Sequence, residues 1–199
     1  MKVNLEKLFN MQKELDNHIL ERFPNLKNED LLPKKILALQ VELGELAQNW
    51  RGFKFWSSDQ RPRGEDDYLE YRPVDQGGNH WVRQNPLLEE YVDCLHFILS
   101  IGLELGIKPE NIIVEDDLTG ATPIETFNEL FSYVSAIHYY LDVNLPATIT
   151  LQDIEEAFNN VFECFVGLGE EHLGFTWEQI EQAYLDKNKV NHERQANGY

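Results

Sequence analysis

Basic residues are scarce in this chain: 17 Lys and Arg face 35 Asp and Glu among 199 residues, a formal net charge of −18. That imbalance opposes nonspecific binding to nucleic acid or to an anionic membrane surface, and it suits cations. A small anion could approach only where metal ions and a local basic cluster offset the field. Cysteine is almost absent. Cys94 and Cys164 stand inside apolar periodic stretches rather than in a closely spaced framework, which argues for packed, reduced thiols and against a disulfide scaffold. No segment approaches ~18 uncharged apolar residues, and Met1-Lys2-Val3-Asn4 opens no apolar run ahead of a small-residue cleavage site. The expectation is a soluble, cytoplasmic protein with neither a membrane nor a nucleic acid as partner. No clear period-2 strand run competes with the pattern that follows.

What is present is helical recurrence. Leu5, Leu8, Phe9, Gln12, Leu15 and Ile19 form one stripe, and Ile36, Leu39, Leu43, Leu46 and Ala47 another. Leu88, Tyr91, Val92, Leu95, Ile98 and Leu99 continue it, as do Ile124, Phe127, Phe131, Val134 and Leu141, then Ile154, Phe158, Val161, Phe165 and Leu168. Thr122-Pro123-Ile124-Glu125 and Thr176-Trp177-Glu178-Gln179 read as capping boxes, and Thr150-Leu151-Gln152-Asp153 as a weaker one. Gly106 ends the third helix, with Pro109 soon after to prevent resumption. With 42% hydrophobic residues the chain can bury one full core. A single all-α domain over residues 1–199 is expected, a bundle of about five or six helices. Residues 57–85 break the pattern with Arg, Asp, Gly and Pro and read as an inserted loop or arm; its Tyr68, Tyr71, His80 and Trp81 serve either binding or local packing.

Acidic residues sit on the edges of two of these stripes. Glu42 and Glu45 are three apart on the second helix, and Glu90 and Asp93 repeat the spacing on the third, so each pair projects from one face. Packed side by side, the two helices bring four carboxylates together, an oxygen-rich setting for a hard divalent ion. A solvated helix face is the simpler explanation of one such pair, but two pairs beside large apolar residues make unpaired charge costly. Glu89 projects about 100° away from Glu90. The last helix carries Lys187, Asn191 and Arg194 along one stripe. It either grips phosphate oxygens or complements the helix dipole.

The segments Val41-Glu42-Leu43-Gly44-Glu45-Leu46, Glu89-Glu90-Tyr91-Val92-Asp93-Cys94-Leu95-His96-Phe97, Arg51-Gly52-Phe53-Lys54-Phe55-Trp56 and Tyr184 to Tyr199 resemble the dimeric dUTPases, within the all-α nucleotide pyrophosphatase superfamily that includes the MazG-type proteins. The resemblance implies Mg²⁺ held by Glu42, Glu45, Glu90 and Asp93, with Glu45, or else Glu42, accepting the proton of the attacking water. It implies phosphate binding by Lys187, Asn191 and Arg194, and uracil and nucleoside binding by Gln12, His96, Phe97 and Trp56. Gln12 otherwise reads as a rim residue, and His96 and Trp56 as core. Asp16 is an acid where some relatives carry Asn. The implied reaction converts dUTP, and dUDP as well, to dUMP in a homodimer. A related pyrophosphatase preferring dCTP or a MazG-like range, and a protein partner bound through the insert, are the alternatives.

Overall fold

The computed structural model describes residues 5–64, 68–72, 80–114, 118–141 and 149–197. Helix α1 spans Leu5–Arg22, α2 Leu32–Trp50, α3 Pro86–Leu105, α4 Pro123–Tyr140, α5 Leu151–Gly167 and α6 Trp177–Asn197. The expected all-α bundle is therefore present. The insert departs from expectation: Tyr68–Arg72 (β1) pairs antiparallel with His80–Gln84 (β2), bringing the backbone of Tyr71 opposite that of Trp81. Five-residue strands that mix charged and aromatic residues give too short an alternation to recognise in the sequence. Residues 65–67 and 73–79 of the insert, and 198–199 of the C-terminal segment, lie outside the described residues.

The helix ends follow the local chemistry. Asn85 caps α3 by accepting from the Leu88 N–H at 3.1 Å, with Pro86 in the first turn, and Gly106 closes it at φ 73°. Both bonds of a capping box form at Thr122/Glu125 and at Thr150/Asp153, so the second site is a complete box rather than a weaker one. Thr176 and Gln179 exchange the same reciprocal bonds ahead of α6.

α3 is the central helix, packed most extensively on α2 and also touching α1, α5 and α6, while α4 pairs with α5. Leu39, Leu43 and Leu46 of α2 and Tyr91, Leu95 and Leu99 of α3 belong to one core cluster, and all are fully buried. Truncating one of these leucines to Ala costs about 2–5 kcal/mol. Tyr91 stacks on Phe165 at 4.1 Å and donates its hydroxyl to the Phe165 carbonyl at 2.9 Å. A π-helical turn, Leu168–His172, follows α5, and at Gly169 a Cβ would run into the Tyr91 ring. This packing fixes the rotation of α3 about its axis, and with it the direction of Glu90 and Asp93.

The insert is rooted between the two acidic helices. The Arg63 N–H donates to the Asn49 carbonyl at 2.9 Å, and the Leu87 N–H donates to the Arg63 carbonyl at 3.0 Å. Below that root, Asp59 gathers Arg51, Arg61 and Arg63, the last at 2.9 Å. Among the described residues, no helix is long and apolar enough to cross a membrane.

Candidate active site

Four helices border one cleft. Along α3, Glu90, Asp93, Phe97, Ser100 and Glu104 recur every three or four residues, an edge that is polar except for Phe97 on a helix that is otherwise largely buried. α2 brings Lys35, Glu42, Glu45 and Asn49, α1 brings Gln12 and Asp16, and α6 brings Lys187, Asn191 and Arg194. A cavity of about 460 Å³ opens between them, with Gln12, Glu42, Asp93, His96, Phe97, Asn191 and Arg194 in its wall. That volume falls within the range of small-molecule sites.

At one end the charges are unresolved. Carboxylate oxygens of Glu42, Glu45 and Glu90 all lie within 4.8 Å of one another. Burial, then Asp93, Glu45, Glu42 and Glu89, push Glu90 up to about 7. Burial, then Asp93 and Glu45, also raise Glu42, with Lys187 opposing. Like charges held this close are relieved by protons or by a cation. Two oxygens bound to one Mg²⁺ lie at most about 4.2 Å apart, so the trio needs only small side-chain adjustments to hold one. Asn49 Nδ2 crosses from α2 to Glu90 Oε1 at 3.3 Å and restrains that carboxylate.

Asp93, the fourth expected ligand, is held differently. Lys187 Nζ reaches its Oδ2 at 2.7 Å and Glu89 Oε1 at 2.8 Å. Burial raises Asp93 while Lys187 lowers it, with a net upward shift. Burial alone would lower Lys187, but Asp93 and Glu89 together outweigh it and its pKa is raised. Glu89, which points away from Glu90 in the sequence geometry, is thus a partner of Lys187.

At the other end the polar groups satisfy one another. Gln12 is 3% exposed; its Nε2 donates to Asp16 Oδ1 at 2.8 Å, and its Oε1 lies 2.8 Å from His96 Nδ1 and 2.9 Å from the Tyr184 hydroxyl. Asp16 also accepts from Ser100 Oγ at 2.6 Å and faces Lys35 Nζ at 3.3 Å, while Lys35 continues to Glu104 at 2.7 Å. His96 stacks on Tyr184 at 4.2 Å. Burial, then the charge of Lys187, push His96 down to about 3, so its ring is neutral at physiological pH. Its Nε2 is buried with no partner among the described residues, and so is Gln195 Oε1 of the cavity wall.

Of the residues expected from sequence, Glu42, Glu45 and Glu90 come together, and Asp93 joins them through shared electrostatics and Lys187. Gln12, His96, Phe97, Asn191 and Arg194 line the adjoining cavity. Trp56 is not among the cavity-lining residues: it is 65% exposed and packs edge-on against Phe53 and Phe55. Lys35, Asn49, Ser100, Tyr184 and Gln195 were not expected in the site. Ser100 and Glu104 could have been found, because they extend the three-to-four residue polar recurrence of Glu90 and Asp93 along an apolar helix.

A family model described as dUTPase matches residues 4–75 and 79–199. No curated protein matches the chain.

Proposed function

Because the chain belongs to the all-α dUTPase family, we propose that it is a Mg²⁺-dependent dUTP pyrophosphohydrolase, releasing dUMP and pyrophosphate and also accepting dUDP. The observation that carries the reading is the trio Glu42, Glu45 and Glu90, clustered within 4.8 Å at the edge of a nucleoside-sized cavity. With Asp93 these residues would hold the metal, and their donor set of carboxylate oxygens on two facing helices suits a hard ion. When bound, magnesium supplies the positive charge that neutralises the triphosphate and polarises its phosphorus centres.

The protein's own groups do the rest. Glu45 is the exposed member of the trio, so water reaches it, and it serves as the general base, with Glu42 the alternative. Lys187, held between Asp93 and Glu89 beside the other carboxylates, is the ammonium placed to meet a phosphate oxygen. Asn191 and Arg194, one and two turns further along α6, direct hydrogen bonds and charge at the same phosphate chain. His96 Nε2 has no hydrogen-bond partner among the described residues, and a uracil N3–H would match it as an acceptor, whereas cytosine offers an acceptor at N3. Phe97 contributes apolar wall to the same cavity.

The proposal includes a homodimer working in the cytoplasm, with the insert available to a protein partner. Rates on dUTP, dCTP, dTTP and UTP with Mg²⁺ test the function. dUTP should be the best substrate; a preference for dCTP, or a flat profile of the MazG kind, would show the base-pocket reading to be wrong.

A further inference from the structure

Asn49 is a neutral donor among charged groups, and the chain fixes it from two sides. It sits in the last turn of α2, one turn beyond Glu45. Its Nδ2 donates to the Glu45 backbone carbonyl at 3.4 Å and to Glu90 Oε1 at 3.3 Å. Both partners are acceptors, so the NH₂ and not the amide oxygen has to face them. On the backbone side, the Asn49 carbonyl accepts from the Arg63 N–H at 2.9 Å, and the Arg63 carbonyl accepts from the N–H of Leu87, three residues before Glu90, at 3.0 Å. The contacts form a closed circuit, running from Asn49 through Arg63 and Leu87 along α3 to Glu90 and back to the Asn49 side chain. The amide is therefore anchored to both acidic helices, and Glu90 gives up a hydrogen bond if its carboxylate swings away.

We infer that Asn49 is a positioning residue for the choice of ion: by holding the Glu90 carboxylate in one place, it makes the cluster favour Mg²⁺ over the larger Ca²⁺. The inference rests on the metal site of the dUTPase reading. Charge cannot make this choice, because both ions are divalent and Glu42, Glu45 and Glu90 attract them alike. Geometry can. Mg²⁺ asks for a near-ideal octahedron at about 2.0–2.1 Å, whereas Ca²⁺ accepts about six to eight oxygens at about 2.3–2.6 Å in a flexible arrangement. A ligand that is held still therefore matters more to the smaller ion, and a ligand set free costs it more. The neutrality of the amide belongs to the same argument. Asn49 restrains Glu90 without adding an oxygen anion to the cluster, whereas a carboxylate at this position would supply a further ligand and suit the ion of higher coordination number.

The melting temperature of the full-length, substrate-free protein, followed against the concentration of Mg²⁺ alone and of Ca²⁺ alone, yields an apparent affinity for each ion. The unsubstituted protein should prefer Mg²⁺. In Asn49→Ala the Mg²⁺ affinity should fall by about tenfold or more, the usual cost of losing a group that orients a ligand, while the Ca²⁺ affinity should fall by less than about threefold. In Asn49→Asp the Ca²⁺ affinity should rise and the Mg²⁺-to-Ca²⁺ ratio should again fall. Both substitutions keep the backbone carbonyl that meets Arg63, and the second keeps the side-chain shape, so the ratio can be read even where Asn49→Ala melts too low. Equal losses of both ions in Asn49→Ala would mean that Asn49 serves only the fold, and would overturn the inference. So would an unchanged ratio in Asn49→Asp, or a preference for Ca²⁺ in the unsubstituted protein. Ion affinities that follow the expected order in a protein that does not hydrolyse dUTP would sink the functional reading and leave the role of Asn49 standing. Absence of binding by either ion would remove both.

Discussion

The two ends of the cleft solve opposite problems with similar side chains. At the acid end, Glu42, Glu45 and Glu90 crowd one another, and burial, then the neighbouring carboxylates, push Glu90 up to about 7, while Lys187 pairs with Asp93 and Glu89. At the nucleoside end, Asp16 is equally an acid beside a cavity, yet Ser100, Lys35 and Gln12 supply it with donors. One end is incomplete without a ligand. Among the described residues the other is largely closed on itself, with His96 Nε2 and Gln195 Oε1 among the few buried polar atoms left without a partner. The difference separates a site that draws in charge from one that reads shape and hydrogen-bond polarity.

The comparison can be broken most forcefully at the acid end. Removing a residue that merely orients a metal ligand costs 10–100-fold in activity, so Glu90→Gln, which alters a proposed ligand, should cost more than about a hundredfold in Mg²⁺-dependent turnover. Circular dichroism should show the helical content intact. Retained activity would mean that the four-carboxylate arrangement is wrong. At the nucleoside end the same kind of change should strike stability. Gln12→Leu strands the Asp16, His96 and Tyr184 partners in a buried setting and should destabilise the fold by about 1–3 kcal/mol, read by denaturant unfolding. An unchanged midpoint would show that these contacts are replaceable by water.

The smallest expected effect is one of pH. Glu90 has a folded-state pKa of about 7 against an ordinary 4.5, so the folded, metal-free protein binds its proton more tightly than the unfolded chain does. That contribution is fully present below the unfolded value and is lost as pH rises through about 7. Glu42 and Asp93 shift in the same direction. The melting temperature in chelator should therefore fall between pH 5.5 and pH 8, by less with Mg²⁺ present and by less in Glu90→Gln. An equal fall in all three samples would place its origin elsewhere in the molecule.

The sequence made some features legible because they are local. Capping pairs three residues apart, and apolar stripes such as Leu39, Leu43 and Leu46, depend only on helix geometry, so the bundle and the rotation of each helix could be read without a partner. Glu42 with Glu45, and Glu90 with Asp93, were visible for the same reason. The contacts that distinguish the two ends were not. Ser100 meets Asp16, and Lys35 meets Glu104, across separations of 84 and 69 residues, which no local spacing encodes. Gln12 shows the limit best. It fell within an apolar stripe and was also a candidate for reading the base; the structure buries it and sets its side-chain oxygen against His96 Nδ1 and the Tyr184 hydroxyl. Trp56 carried no signal of its exposure, because an aromatic residue just beyond a helix end is equally compatible with a core and with a surface cluster.

The root of the insert has a practical consequence. Asn49, Arg63 and Leu87 join their backbones in a short chain of two hydrogen bonds across the gap between α2 and α3. The spacing of the acidic helices is set by their buried core and held at this root, below the hairpin and not by its length. A reporter or affinity tag could be grafted beyond residue 64, or the hairpin exchanged for one of different size, without altering the distance between Glu42 and Glu90.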